Sequence, residues 1–236
     1  MNICLLGTTD IIGGASRAAY RLHCGLRLMN HQSFMVVKEK YSKDSNVFYV
    51  SPHSDEYHAE YAIFDFMQRR EIDNNRTDLS TTRFSIPYPG YDLSNNVLIL
   101  ESELINLHWL DNFQSTETVS ALLKLGKPVI WTLHDENPFT GGCHYTSGCT
   151  RFLEDCMDCP QLLDSTYQIP ARVLQNKLCH FQDNLTIVTP SKWLAKRARE
   201  SRVFRHCRVE VSPNSIETDI FRPTSMSLAK QELQLD

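Results

Sequence analysis

The sequence predicts an α/β protein, a Rossmann-like parallel sheet with helices on both faces. Two observations carry that prediction. The first forty residues spell strand, loop, helix and strand at the spacing of one βαβ unit, and short apolar runs then alternate with helical patterns along most of the chain. Composition agrees: 42% of the 236 residues are hydrophobic and 22% charged, too apolar for a disordered chain. The length suits one or two domains. A formal net charge of −4 argues against a general nucleic-acid binder.

In order, residues 3–6 form a short apolar strand. Residues 7–14 are a glycine-punctuated loop, and residues 15–29 place Ala15, Ala18, Ala19, Leu22 and Leu26 on one helical face. A second strand follows at 33–37. Residues 57–68 suit a helix with Tyr61, Phe64 and Met67 along one side, and residues 71–96 read as a long irregular connection. Regularity returns with a strand at 104–107 ending in His108-Trp109, a helix at 116–125 and a strand at 128–132, with Gly126 and Pro128 as punctuation. Residues 133–169 read as a Cys-, Gly- and Pro-rich loop insertion, long enough to need a function or a tether. A helix at 171–183, a strand at 185–188, a helix capped by Ser191, a strand at 208–211 and a short helix at 228–233 complete five to seven strands. One domain is expected to end near residue 212, with Pro213 and Pro223 bracketing a linker.

In an open α/β sheet, ligands bind beyond the carboxyl ends of the strands. That rule selects residues 8–14, His108-Trp109 and residues 134–142. Gly13 and Gly14 precede a helix, where backbone N–H groups can meet a phosphate; a simple tight turn is the rival reading, since neither GxGxxG nor a Walker loop is present. His134 and Asp135 follow a strand directly and are read as working side chains, with a capped strand end as the alternative. His108 holds the equivalent place on its own strand, where a packed core imidazole is an equal reading. Cys143, Cys149, Cys156 and Cys159 lie within 17 residues and can close a structural Zn²⁺ site; packed reduced thiols or two disulfides are the alternatives. Cys4, Cys24, Cys179 and Cys207 read as buried thiols. The basic run Lys192, Lys196, Arg197, Arg199, Arg202, Arg205 and Arg208 suits either anionic lipid head groups or plain solvent. No run approaches 18 apolar residues and no export signal opens the chain, so a cytoplasmic protein, at most peripheral at the inner face of a membrane, is expected.

The loop DIIGGASRAAYRLHCGL, the strand end NLHWL, the block WTLHDENPFTGGCHYTSGCTRFLEDCMDCPQL, the segment TPSKWLA and the linker PNSIETDIFRP together resemble bacterial GT-B glycosyltransferases. The likeness is to the family-4-type, retaining enzymes of exopolysaccharide and colanic-acid synthesis. The resemblance implies two facing Rossmann-like domains, with residues 1–212 on the acceptor side and residues 213–236 as linker and opening of a donor domain. It implies a nucleotide-sugar donor and a glycan or lipid-linked acceptor. Gly13 and Gly14 would approach the donor diphosphate and His134 the donor sugar, with Asp135 and His108 as further cleft residues. No cofactor would serve catalysis, so zinc would be structural. Two departures stand out. Ser215 replaces the family's glycine, and the donor-side E-x7-E motif is missing from a chain that ends at Asp236. The polypeptide alone is therefore expected to be inactive, its donor half absent or supplied by a separate chain. A non-catalytic acceptor-binding module is the alternative. A nicotinamide-dependent oxidoreductase is disfavoured by the missing GxGxxG and by Lys38 at the end of the second strand, where an acid would be needed.

Overall fold

The computed structural model describes residues 1–50, 55–181 and 184–235. Strand β1 (Asn2–Thr9) is followed by α1 (Gly14–Leu28), β2 (Gln32–Glu39), β3 (Val47–Tyr49), α2 (Asp55–Met67), α3 (Val97–Glu101) and β4 (Leu104–Leu107). Then come α4 (Thr116–Leu123), β5 (Val129–Thr132), α5 (Ile169–His180), β6 (Leu185–Thr189), α6 (Lys192–Glu200), β7 (Arg208–Val211) and α7 (Met226–Glu232). The seven strands form one sheet in the order β3-β2-β1-β4-β5-β6-β7, every pairing parallel. The fold is the predicted Rossmann-like α/β arrangement. Strand order reverses between β1 and β4, so a crevice beyond their carboxyl ends is the expected ligand position.

Alternation along β1 builds both faces. Ile3 and Leu5 pack with Met35, Val37 and Ala19 on the α1 side. Cys4 and Leu6 join Ile105, Leu107, Trp131, Leu194 and Phe204 on the other. Local signals explain several element ends. Ser115 caps α4 through a reciprocal box with Thr118, and the Ser191 hydroxyl accepts the Leu194 N–H at 3.2 Å. Two short elements, β3 and α3, were not anticipated. The expected helix at 171–183 starts two residues earlier, and its predicted end at Gln182 and Asp183 lies outside the described residues. Of the four scattered cysteines, Cys4 is fully buried, whereas Cys24 and Cys207 are half-buried and Cys179 is exposed on α5. The expectation of four buried thiols is corrected there, because Cys179 falls on the solvent side of an amphipathic helix.

The two long irregular stretches, 73–96 and 133–168, support each other. Isolated antiparallel bridges join Arg76 to Leu162 and Phe84 to Cys143. Between them Ile72, Phe84, Ile86, Cys143, Leu162 and Val173 form a separate small core. Arg197 of α6 ties the second stretch down. Its Nε donates to the buried Glu136 Oε1 at 2.7 Å, and its guanidinium lies 4.4 Å from the centroid of Phe152. The other Glu136 oxygen accepts the Thr146 N–H at 2.8 Å. Removing the cation leaves a buried carboxylate half-paired, so Arg197→Met is expected to cost about 3 kcal/mol. Urea unfolding checks this, and a cost below about 1 kcal/mol would mean that the pair is solvated.

Candidate functional site

The parallel pairings β1–β4 and β4–β5 set the ends of these strands side by side on one rim. Thr8 clasps the residues after β4: its N–H donates to the Trp109 carbonyl at 2.9 Å and its hydroxyl to the Asp111 carbonyl at 2.8 Å. Beyond β4 and β5 opens a cleft whose lining includes His108, Trp109, Asp111, His134, Asp135, His144 and Lys177. His108, His134 and Asp135, singled out from the sequence, thus meet in one cleft. Gly13 and Gly14 lie at the β1–α1 turn but do not line it.

His108 and His134 stack with ring centroids 5.3 Å apart, and His108 Nδ1 lies 3.0 Å from His134 Nε2. Burial, reinforced by His134, pushes the His108 pKa well below its ordinary value. Burial also lowers that of His134, to about 4, against the opposing pull of Asp135. Two neutral rings share one proton across their contact. His108 Nε2 is buried without a partner, and an orphaned lone pair is easier to tolerate than an orphaned N–H. The proton therefore belongs on His108 Nδ1, donating to His134 Nε2, which leaves His134 Nδ1–H as a donor.

Asp135 is the hub of a second network. Its Oδ2 accepts Trp109 Nε1–H at 3.0 Å and faces His144 Nδ1 at 2.6 Å; its Oδ1 accepts the Asn137 N–H at 3.0 Å. His144 Nε2 in turn meets Ser85 Oγ at 2.9 Å. Lys177 of α5 is 2% exposed and donates to the Asn137 and Thr140 carbonyls at 2.5 and 2.9 Å. Burial lowers its pKa to about 8. Sequence reading missed His144 and Lys177. The signal for Lys177 was present: with Val173 and Leu174 it occupies the buried face of α5, where a lysine is out of place.

At the β1–α1 turn, Gly13 has φ +87°, and a Cβ on either glycine would meet nothing within 4 Å. The turn is braced by the buried Asp10, whose carboxylate accepts the N–H groups of Ile11, Tyr41 and Ser42. Burial opposes its ionisation, yet these bonds keep its pKa below the ordinary carboxylate range.

The four clustered cysteines line a second, small cavity together with Phe84, Gly141, Phe152 and Pro170. Among the described residues, no three His, Cys, Asp or Glu side chains as they stand are disposed to hold a metal ion. The basic run is partly consumed internally. Arg197 is paired with Glu136, Arg202 donates to the Glu154 carbonyl and the exposed Arg199 to that of Val209, while Lys196 and Arg208 lie 3.8 and 2.9 Å from Glu200 and Glu210, so Lys192 and Arg205 are the exposed cations of the run without an ion pair among the described residues. Among the described residues, no helix is long and apolar enough to cross a membrane.

No family model matches the chain. Over 68 residues, it is 34% identical to the Escherichia coli (strain K12) protein described as "Putative colanic acid biosynthesis glycosyl transferase WcaC". The matched segment is 28% of this chain and only 16% of that relative, so the likeness to a glycosyltransferase is partial.

Proposed function

We propose that this chain is the acceptor-side half of a GT-B glycosyl-transfer cleft. It would serve the movement of a sugar, with retention, from a nucleotide-sugar to a glycan or lipid-linked acceptor in exopolysaccharide synthesis. The observation that carries the reading is the His108–His134–Asp135 assembly in a cleft beside the point where strand order reverses, supported by the partial likeness to a transferase. In such a reaction the bond from the anomeric carbon to the donor phosphate breaks. The acceptor oxygen bonds to that carbon, and the acceptor proton passes to the departing diphosphate. His134 Nδ1–H would donate a hydrogen bond to the donor sugar or leaving group, and Asp135 would hold the cleft wall through Trp109 and His144. Gly13 and Gly14, open at the start of α1, would receive the diphosphate. Residues 1–212 would form this half, with 213–236 leading to a donor domain in the same or a separate chain. The exposed cations of the Lys192–Arg208 run would hold the protein against anionic lipid.

The test is transfer from a panel of nucleotide-sugars to lipid-linked glycan extract, with the 236-residue chain alone and mixed with a GT-B donor domain. Turnover is expected in the mixture, and His134→Ala is expected to lower it about 100-fold while far-UV circular dichroism stays the same. Absence of turnover in both preparations, or an unaffected variant, would sink the reading. Acceptor binding without turnover would favour the non-catalytic module.

A further inference from the structure

We propose that Cys143, Cys149, Cys156 and Cys159 bind one zinc ion as a tetrathiolate, locking the segment that forms the back wall of the cleft. The four residues come from three separate turns of an irregular stretch, yet all line one cavity walled by Phe84, Phe152, Pro160 and Pro170. Apolar walls of this kind keep water from a metal–sulfur core.

Two independent observations point to negative charge at that place. First, a backbone N–H is aimed at one of the sulfurs. The Arg151 N–H donates to Cys149 Sγ at 3.4 Å. This donor, two residues past Cys149, forms a turn in which the chain folds back over its own sulfur. Such bonds stabilise a thiolate more than a thiol. Second, Lys177 is a buried ammonium whose hydrogen-bond acceptors are both carbonyls, with no carboxylate in ion-pair contact among the described residues. Thr140, one of its two acceptors, in turn donates its hydroxyl to the Cys143 carbonyl at 2.6 Å, which places the ammonium beside the cysteine segment. A buried cation needs an anionic partner. Four thiolates on Zn²⁺ carry a net charge of −2, and Arg151 in the cavity wall and Lys177 beside the segment are cations that would offset it.

Without metal, all four cysteines are free thiols. Nothing then draws them together. Zinc would displace four protons and pull the sulfurs to about 2.3 Å from the metal. The ion would sit directly behind the cleft, because residues 137–144 line the cleft with Asn137, Pro138 and His144 and the cysteine cavity with Gly141 and Cys143. The inference does not depend on the transfer reading.

The experiment is elemental analysis of the 236-residue chain purified without added metal or chelator, followed by exchange with Co²⁺. About one zinc per chain is expected, and Co²⁺ should give the sulfur-to-metal charge-transfer and tetrahedral d–d bands of a four-thiolate site. Cys179→Ser, remote and exposed, should retain the metal; Cys159→Ser should weaken both band sets, and chelation should lower Tm by roughly 10 °C or more. Should Cys159→Ser fail to fold, the cobalt spectrum of the unaltered chain still decides. Less than about a tenth of an equivalent with eight titratable thiols, four thiols lost to disulfides, or a cobalt spectrum without sulfur charge-transfer would each overturn the proposal.

Discussion

Gly142→Ala is expected to destabilise the chain by about 4 kcal/mol, and Gly141→Ala by about 3 kcal/mol. A Cβ on Gly142 would stand 2.7 Å from a ring carbon of Phe84 and 2.9 Å from the Ser85 carbonyl oxygen, at a φ of +127° that side chains rarely adopt. On Gly141 the new carbon would meet the Pro170 carbonyl oxygen at 2.5 Å and its carbon at 2.8 Å. Neither wall can give easily. Phe84 is 2% exposed, the Ser85 N–H donates to the Gly142 carbonyl at 3.0 Å, and the His144 N–H donates to that of Arg83 at 3.1 Å. Relief of the clash must therefore move His144, and with it the contact to Asp135. Urea unfolding measures the loss, with Gly25→Ala as the contrast. Gly25 lies inside α1 with nothing within 4 Å of its Cβ position, so alanine there should stabilise by about 0.5–1 kcal/mol. A loss under about 1 kcal/mol at both Gly141 and Gly142 would mean that this segment packs neither on Pro170 nor on residues 83–86 in this way.

The contrast between these glycines shows which parts of the molecule the sequence makes legible. Where structure follows local pattern, reading succeeds. The apolar run of β4 has the expected bounds, Ser191 caps the helix it precedes, and His108 and Asp135 stand in the cleft to which the strand-end rule points. Where structure depends on a distant partner, pattern is silent. Strand β3 is three residues long, with only Val47 buried, and it is extended because Met35, Val36 and Val37 offer it an edge. The run Val97–Glu101 is as apolar as a strand, and the Asn96 side chain accepting the Leu98 N–H turns it into a helix. His144 joins the cleft only because Gly142 lets the chain pass against Phe84 and Ser85. Likewise, the basic run looks like a charged surface until Glu136, 61 residues away, takes Arg197 inward.

Stability is expected to fall as pH drops from about 6.5 to about 4, because the fold holds three imidazoles in their neutral form. His23 is fully buried with Nδ1 2.9 Å from Ser33 Oγ, and burial lowers its pKa despite Asp44, whose Oδ2 lies 3.4 Å from Nε2. His108 and His134 are lowered by burial in the cleft, His134 to about 4. Unfolding returns each ring to water and to an ordinary pKa near 6.5. Between the folded and unfolded values the unfolded chain binds more protons, so ∂ΔG/∂pH is positive. The stabilisation is complete above pH 6.5 and is lost as the solution is acidified. For His134 alone, the change from 6.5 to about 4 amounts to about 3 kcal/mol at the acid end of the window. Asp10, Asp44 and Glu117, whose folded pKa values are held low, act in the same direction but only below about pH 4. Urea midpoints at pH 7, 6 and 5 and constant ionic strength measure the slope. The double variant His108→Asn, His134→Asn should be less stable at pH 7 yet lose less between pH 7 and 5. An unchanged midpoint over that interval in the unaltered chain would mean that the rings take up protons as readily in the folded as in the unfolded state, and that burial does not hold them neutral.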